Sequence, residues 1–241
     1  MVLPTAEIIP NNKLKNLADA SHVRRFQSAV GQLMYLMLAT RLDIAYPVGM
    51  LALHTSNPSL EHEKALLHLV RYIKHTKEYV LTYYKPTPEN KFPGVLDTYS
   101  DADWAGETHS GCSTSGMVIT KCGSAISWSS KRQGVVSTST MESEYITLFN
   151  TVQNAIFLSQ LEQQLDIEWY EPNIYCDNQA AISIAKGGDM EFKHSKFMNV
   201  KYHYIRKVLT DEILNVWYVK SSDNITNVFT KRLPHGPLST L

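Results

Sequence analysis

Apolar residues recur every three to four positions through the first third of the chain. Phe26, Val30, Leu33, Met34 and Met37 form one helical stripe, and Ile44, Val48 and Leu51 resume it after a break at Arg41-Leu42-Asp43. Ser59 reads as the N-cap of a third helix through Ala65, Leu69 and Ile73, with Glu61 in its first turn. Val80-Leu81-Thr82-Tyr83-Tyr84 then looks strand-like. Pro86, Pro88, Asn90 and Pro93 punctuate a connection, the clearest boundary in the chain. Beyond it, three strands are expected over 95–103, 115–121 and 124–130, the last two joined tightly at Gly123. Tyr145, Leu148, Phe149, Val152 and Ile156 predict a long helix over 140–165. There follow a strand at 173–176, helices at 178–186 and 196–210, a strand at 213–219 and a closing helix near 224–231. The stripe of the 196–210 helix is read as Phe197, Val200, Tyr204 and Val208. Three strands followed by alternating helices and strands fit an α/β domain with a mixed sheet flanked by helices. The expected organisation is a flexible lead-in over 1–20, a helical segment over 21–85 and the sheet domain over 94–235.

Composition narrows this picture. The 241 residues are 44% hydrophobic, which describes a folded chain rather than a disordered one. The formal net charge is zero, so any surface for a polyanion must come from local clusters of Lys and Arg. The three cysteines, Cys112, Cys122 and Cys176, lie far apart without a Cys-x-x-Cys pair, which argues against a disulfide framework and for a reducing compartment. The N-terminus lacks a signal-peptide pattern and no apolar run reaches membrane-spanning length, so an intracellular protein without membrane contact is expected.

The candidate chemistry lies in carboxylates. In a strand over 95–103, Asp97, Tyr99, Asp101 and Asp103 share one face, while Leu96, Ala102 and Trp104 pack inward from the other. Three carboxylates on one face either stay exposed or require a cation. Ser139 and Glu142 form a capping box, which accounts for Glu142 and leaves Glu144 to face the sheet near Asp101. Asp177 ends a strand before a helix, the place of an N-cap or of a ligand. Carboxylates delivered by a strand, a helix and a second strand end repel one another unless a hard cation sits between them. The set Asp101, Glu144 and Asp177 therefore reads as a magnesium site for phosphodiester chemistry.

Several segments carry a resemblance. Tyr99-Ser100-Asp101-Ala102-Asp103-Trp104-Ala105-Gly106, Ser113-Thr114-Ser115-Gly116, Ser127-Trp128-Ser129-Ser130-Lys131-Arg132-Gln133, Ser143-Glu144-Tyr145, Cys176-Asp177-Asn178-Gln179 and Phe229-Thr230-Lys231 stand in this order. Together they resemble the ribonuclease H domain of copia-type LTR retrotransposon Pol polyproteins. Thr40-Arg41-Leu42-Asp43-Ile44-Ala45 and Arg71-Tyr72-Ile73-Lys74-His75-Thr76 resemble the end of the same family's reverse transcriptase, which makes 21–85 a remnant of its thumb or connection. The resemblance implies a ribonuclease H-like five-stranded mixed sheet and cleavage of the RNA strand of RNA–DNA hybrids with two Mg2+ ions, Mn2+ being an alternative. It assigns Asp101 to bridge the metals, Glu144 and Asp177 to hold one each, and Asp103 to stand beside them. The fourth acidic position of the family falls on Asn227, which offers one oxygen but no charge.

Lys131 and Arg132, and on the 196–210 helix Lys196, Lys201, His203 and Arg206, are the expected contacts to the hybrid backbone. The polymerase's Asp-Asp motif is absent, so the chain is not expected to polymerise by itself. Its expected partners are an RNA–DNA hybrid and the rest of a Pol polyprotein, in a cytoplasmic virus-like particle or the nucleus. The competing expectation, carried by Asn227, is a truncated or decayed copy that binds nucleic acid with weak or no catalysis.

Overall fold

The structure is a computed structural model that describes residues 19–84, 94–106, 111–187 and 196–231. Residues 1–18 of the lead-in expected over 1–20, the connection at 85–93 and the last four residues of the expected 94–235 domain lie outside these, and Ala20 of that lead-in already begins a helix. The chain divides into two compact units, the first ending at Leu81 and the second spanning Thr82–Thr230.

In the first unit, α1 (Ala20–Ala39), a 3-10 turn (Leu42–Ile44), α2 (Ala45–Ala52) and α3 (Leu60–His75) follow the expected order. Their core is Phe26, Val30, Leu33, Ile44, Val48, Leu51 and Leu69, as the helical spacing required. Met34, expected in the stripe, is exposed instead. The break at 41–43 is a buried ion pair. The Arg41 guanidinium donates through Nε and Nη2 to both Asp43 oxygens at 2.8 and 2.7 Å, and Tyr72 donates to Asp43 at 2.9 Å. Ser59 caps α3 as expected, with the box closed by the Nδ1 of His62, which accepts from the Ser59 N–H at 2.9 Å. Residues 80–84 form no strand.

The second unit is built on β1 (Leu96–Asp103), β2 (Thr114–Lys121), β3 (Ser124–Arg132), β4 (Asn173–Cys176) and β5 (Asn215–Tyr218). The sheet order is β3-β2-β1-β4-β5, with β1, β2 and β3 antiparallel in turn and β1, β4 and β5 parallel. Cys122 and Gly123 both adopt positive φ (53° and 76°), the two-residue turn that matches strand twist. The helices are α4 (Thr140–Gln164), α5 (Gln179–Ala185), α6 (Lys196–Thr210) and the short α7 (Asn227–Thr230). α4 packs Tyr145, Leu148, Val152 and Ala155 into a core shared with Ile174, Met198, Ile205, Leu214 and Val216. This arrangement is the ribonuclease H-like mixed sheet with flanking helices.

One inward-facing expectation fails, and a second tryptophan behaves in the same way. Trp104 and Trp217 are 45% and 49% exposed, each with its indole N–H bonded at the surface, to Ser137 O and Asn173 Oδ1. Both lie at or next to a strand end, where the alternating pattern no longer meets a covering layer.

Candidate metal centre

The sheet brings Asp101 and Asp177 to one end. The chain leaves β1 toward β2 and β3 on one side, then returns to add β4 and β5 on the other. The carboxyl ends of parallel β1 and β4 therefore border a topological switch point, where α/β sheets open a crevice. Asp101 and Asp177 arrive there together: Ser100 pairs with Cys176, and the next residue of each strand is an aspartate.

Glu144 comes from the second turn of α4 and is 4% exposed. Its carboxylate, the Cys176 sulfur and the Asp177 carboxylate offer three donor atoms within 4.8 Å of one another. Asp177 is not the helix cap, because Asn178 takes that place with its Oδ1 accepting from Ala181 N–H at 2.9 Å. Asp101 is 1% exposed and stands outside the trio, its Oδ2 accepting a hydrogen bond from the Thr230 hydroxyl of α7. Burial pushes the Cys176 thiol up to about 12, with the charges of Glu144 and Asp177 adding to it, so at neutral pH the sulfur keeps its proton.

The surrounding residues hold this geometry. Gln133 is buried and its amide nitrogen donates to Ser115 Oγ at 3.0 Å and to Ser143 O at 2.9 Å, tying β2 to the first turn of α4 next to Glu144. Asn224 donates to Ser100 O at 2.9 Å and so fastens the C-terminal segment to β1 one residue before Asp101. Gly116, paired with Asp101 across the sheet, lets α7 approach. A Cβ there would meet Thr230 Cγ2 at 2.5 Å and Phe229 Cβ at 3.0 Å. Of these, Gly116, Gln133 and Thr230 stand in the quoted motifs, but only the folded chain shows what they touch.

The expected residues fare differently. Ser139 accepts from Glu142 N–H at 3.2 Å, yet the Glu142 carboxylate turns to Thr138 N–H at 2.7 Å, so half of the expected capping box forms. Asp103 folds over its own turn: a Cβ on Gly106 would lie 2.1 Å from its Oδ2. Asn227 opens α7 one turn before Thr230. Its amide nitrogen donates to Ser221 O at 2.6 Å and Asn224 O at 2.9 Å.

Lys131 and Arg132 are exposed at the end of β3, which register places at the same sheet end as Asp101, through Gly116 and Ser130. Lys201 corrects the reading of α6. It is buried, its ammonium 4.0 Å from the centre of the Phe149 ring, and desolvation lowers its proton affinity. The buried stripe is Met198, Tyr202, Ile205 and Val208, rotated from the expected one, which leaves Val200 exposed and turns Lys201 inward. Arg206 sits over the Tyr202 ring and near the start of β5, at the end of the sheet opposite the carboxylates. His203 is exposed, and the Lys196 side chain lies outside the described residues.

No family profile matches the chain. The chain is 37% identical over 211 residues to the retrovirus-related Pol polyprotein from transposon TNT 1-94 of Nicotiana tabacum, and 33% identical over 235 residues to that from transposon RE1 of Arabidopsis thaliana. These matches cover 88% and 95% of this chain. This chain belongs to the retrovirus-related Pol polyproteins of copia-type transposons. It spans only 15% of the length of each of these two relatives. A 134-residue stretch is also 40% identical to secreted RxLR effector protein 161 of Plasmopara viticola, covering 56% of this chain and 91% of that protein.

Among solved structures, a foamy viral protease-reverse transcriptase in complex with RNA/DNA hybrid matches with TM-score 0.52 and 15% identity, over 94% of this chain and 28% of that one. LC11-RNase H1 matches with TM-score 0.44 and 16% identity, over 57% of this chain and 94% of that one. The likeness to the first is one of fold, and it extends over both units. Among the described residues, no helix is long and apolar enough to cross a membrane.

Proposed function

We propose that the second unit is a ribonuclease H that hydrolyses the RNA strand of RNA–DNA hybrids, with Asp101, Glu144 and Asp177 holding divalent cations. The observation that supports this reading is that Glu144 and Asp177 offer oxygens within 4.8 Å of one another, while Asp101 follows Ser100, whose strand partner Cys176 immediately precedes Asp177. Oxygen donors from carboxylates are what Mg2+ and Mn2+ take, so the set fits a hard cation. Bound there, such ions would supply an activated water and stabilise the leaving 3′ oxygen.

The chain's own residues do the rest. Thr230 holds Asp101 in place, and Gln133 fixes the Ser143 carbonyl next to Glu144. The rigid backbone around them supplies the positioning that in-line displacement needs. Lys131 and Arg132, exposed at the same sheet end, attract the hybrid's phosphates without reading bases. The foamy viral relative of the fold, solved with an RNA/DNA hybrid, supports this substrate.

The decisive measurement is cleavage of a labelled hybrid with magnesium, with Asp101→Asn as the control. Cleavage no faster than the control rejects the proposal. A second reading, a module that binds hybrids without cutting them, is favoured by one feature. Asn227 brings no charge and has its amide nitrogen committed to two backbone carbonyls. Salt-sensitive hybrid binding without cleavage is its signature in the same experiment.

A further inference from the structure

Cys176 has no part in the hard-cation chemistry proposed above, yet its sulfur stands inside the donor set. Three atoms with no pair more than 4.8 Å apart can all lie within about 2.8 Å of a common point, so small rotamer changes reach the 2.0–2.3 Å bonds of a thiophilic ion. The backbone N–H of Asn178 points at the sulfur, with N–S 3.4 Å. Outer hydrogen bonds of this kind accompany sulfur ligands in metal sites. The set is closed on the core side, where Cys176 is fully buried, and half-open at Asp177 on the strand end, which leaves a way in.

We infer that Cys176, Glu144 and Asp177 form a binding site for a thiophilic divalent ion, Zn2+ or Cd2+, which competes with magnesium for the same carboxylates. Magnesium gains nothing from a thiol, whereas zinc and cadmium gain a sulfur bond, so selectivity shifts toward the softer ions. On binding, the ion replaces the thiol proton, a sulfur–metal bond forms and the proton leaves to the buffer. No oxidant or reductant is involved. The site takes its ion class from one residue, and it makes this centre open to occupation by trace zinc. The inference rests on reading the centre as a cation site.

The test is cadmium titration of the full chain, followed by the near-ultraviolet charge-transfer band of a cadmium–thiolate bond and by calorimetry. The wild-type chain and the Cys112→Ser variant show the band at one equivalent in excess magnesium. Cys176→Ser and Cys176→Ala lose it, and Glu144→Gln, which leaves the sulfur in place, binds at least about ten-fold more weakly. A band that survives in both Cys176 variants, or no band in the wild-type chain, overturns the inference. So does unchanged affinity in Glu144→Gln, a variant that does not alter the cysteine's packing. The two readings separate cleanly. Magnesium-dependent hybrid cleavage without the band removes the inference alone, and the band without cleavage removes the nuclease alone.

Discussion

An aspartate at position 227, where the resemblance implies a fourth acid for the proposed site, carries a cost in this structure. The Asn227 amide nitrogen donates to Ser221 O at 2.6 Å and Asn224 O at 2.9 Å. A carboxylate has no proton to give, so Asn227→Asp sets an anionic oxygen against two carbonyl oxygens. Ser221 is exposed and water can replace its bond, but Asn224 is buried. The Asn224 carbonyl keeps its bond from the Asn227 backbone N–H at 3.2 Å, so the cost is the loss of two side-chain bonds with an anionic oxygen left facing carbonyls, about 2 kcal/mol in all. In a domain of this size that is a fall in melting temperature of roughly 4–8 °C.

All four tryptophans, Trp104, Trp128, Trp169 and Trp217, lie in the second unit, so their fluorescence during thermal unfolding reports that unit alone. Measured in chelator, Asn227→Asp melts below the wild-type chain. Magnesium then stabilises the variant more than the wild type, since a ligand at a hundred times its Kd adds about 2.7 kcal/mol. The introduced carboxyl, crowded by carbonyls, has a folded pKa above its unfolded value near 4. Its penalty is therefore present at neutral pH and shrinks as pH falls through that range, where the protonated acid can donate again. Equal melting of variant and wild type in chelator at neutral pH refutes the reasoning, as does a magnesium shift no larger in the variant.

Further outcomes follow from the same geometry. Gly116→Ala forces α7 off β2 and disturbs the Thr230–Asp101 bond, costing about 1–3 kcal/mol in the fluorescence melt and a larger share of hybrid cleavage than the stability loss explains. Arg41→Ala takes the ion-pair partner from the partly buried Asp43 and leaves it the Tyr72 hydroxyl, so the far-ultraviolet melt should show a loss of about 3 kcal/mol in the first unit. His62 is held down at about 4, by burial and then by the adjacent His54 ring. The unfolded chain takes up that proton more readily, so stability is full above pH 6.5 and falls by about 2 kcal/mol as pH drops from 6.5 to 4, and His62→Gln, which can still cap Ser59, flattens the slope.

Much of the architecture was legible before folding because it rests on short-range rules. The 3.6-residue period gave α1 to α4, and the Ser59 cap and the Cys122-Gly123 turn lie where local chemistry put them. Asp101, Glu144 and Asp177 were singled out as candidates for a different reason, since carboxylates delivered by a strand, a helix and a second strand end repel one another unless a cation sits between them. The reading of α6 failed because Lys201 and Val200 are adjacent, and a rotation of about one position swaps which of them is covered. Periodicity alone does not fix a helix's rotation; the core formed by Ile174, Ile205 and Val216 does.

The sequence by itself determined the order and kind of elements, because each depends on residue type and local spacing, and it offered Asp101, Glu144 and Asp177 as candidate ligands, with Asn227 at a fourth position through the family resemblance alone. Only the tertiary structure decided that Asn178 rather than Asp177 caps α5, that Thr230 holds Asp101, and that Asn227 spends its amide on Ser221 and Asn224. It alone brought the Cys176 sulfur between Glu144 and Asp177, as donors more than thirty residues apart meet only when β4 and α4 pack together at the end of the sheet.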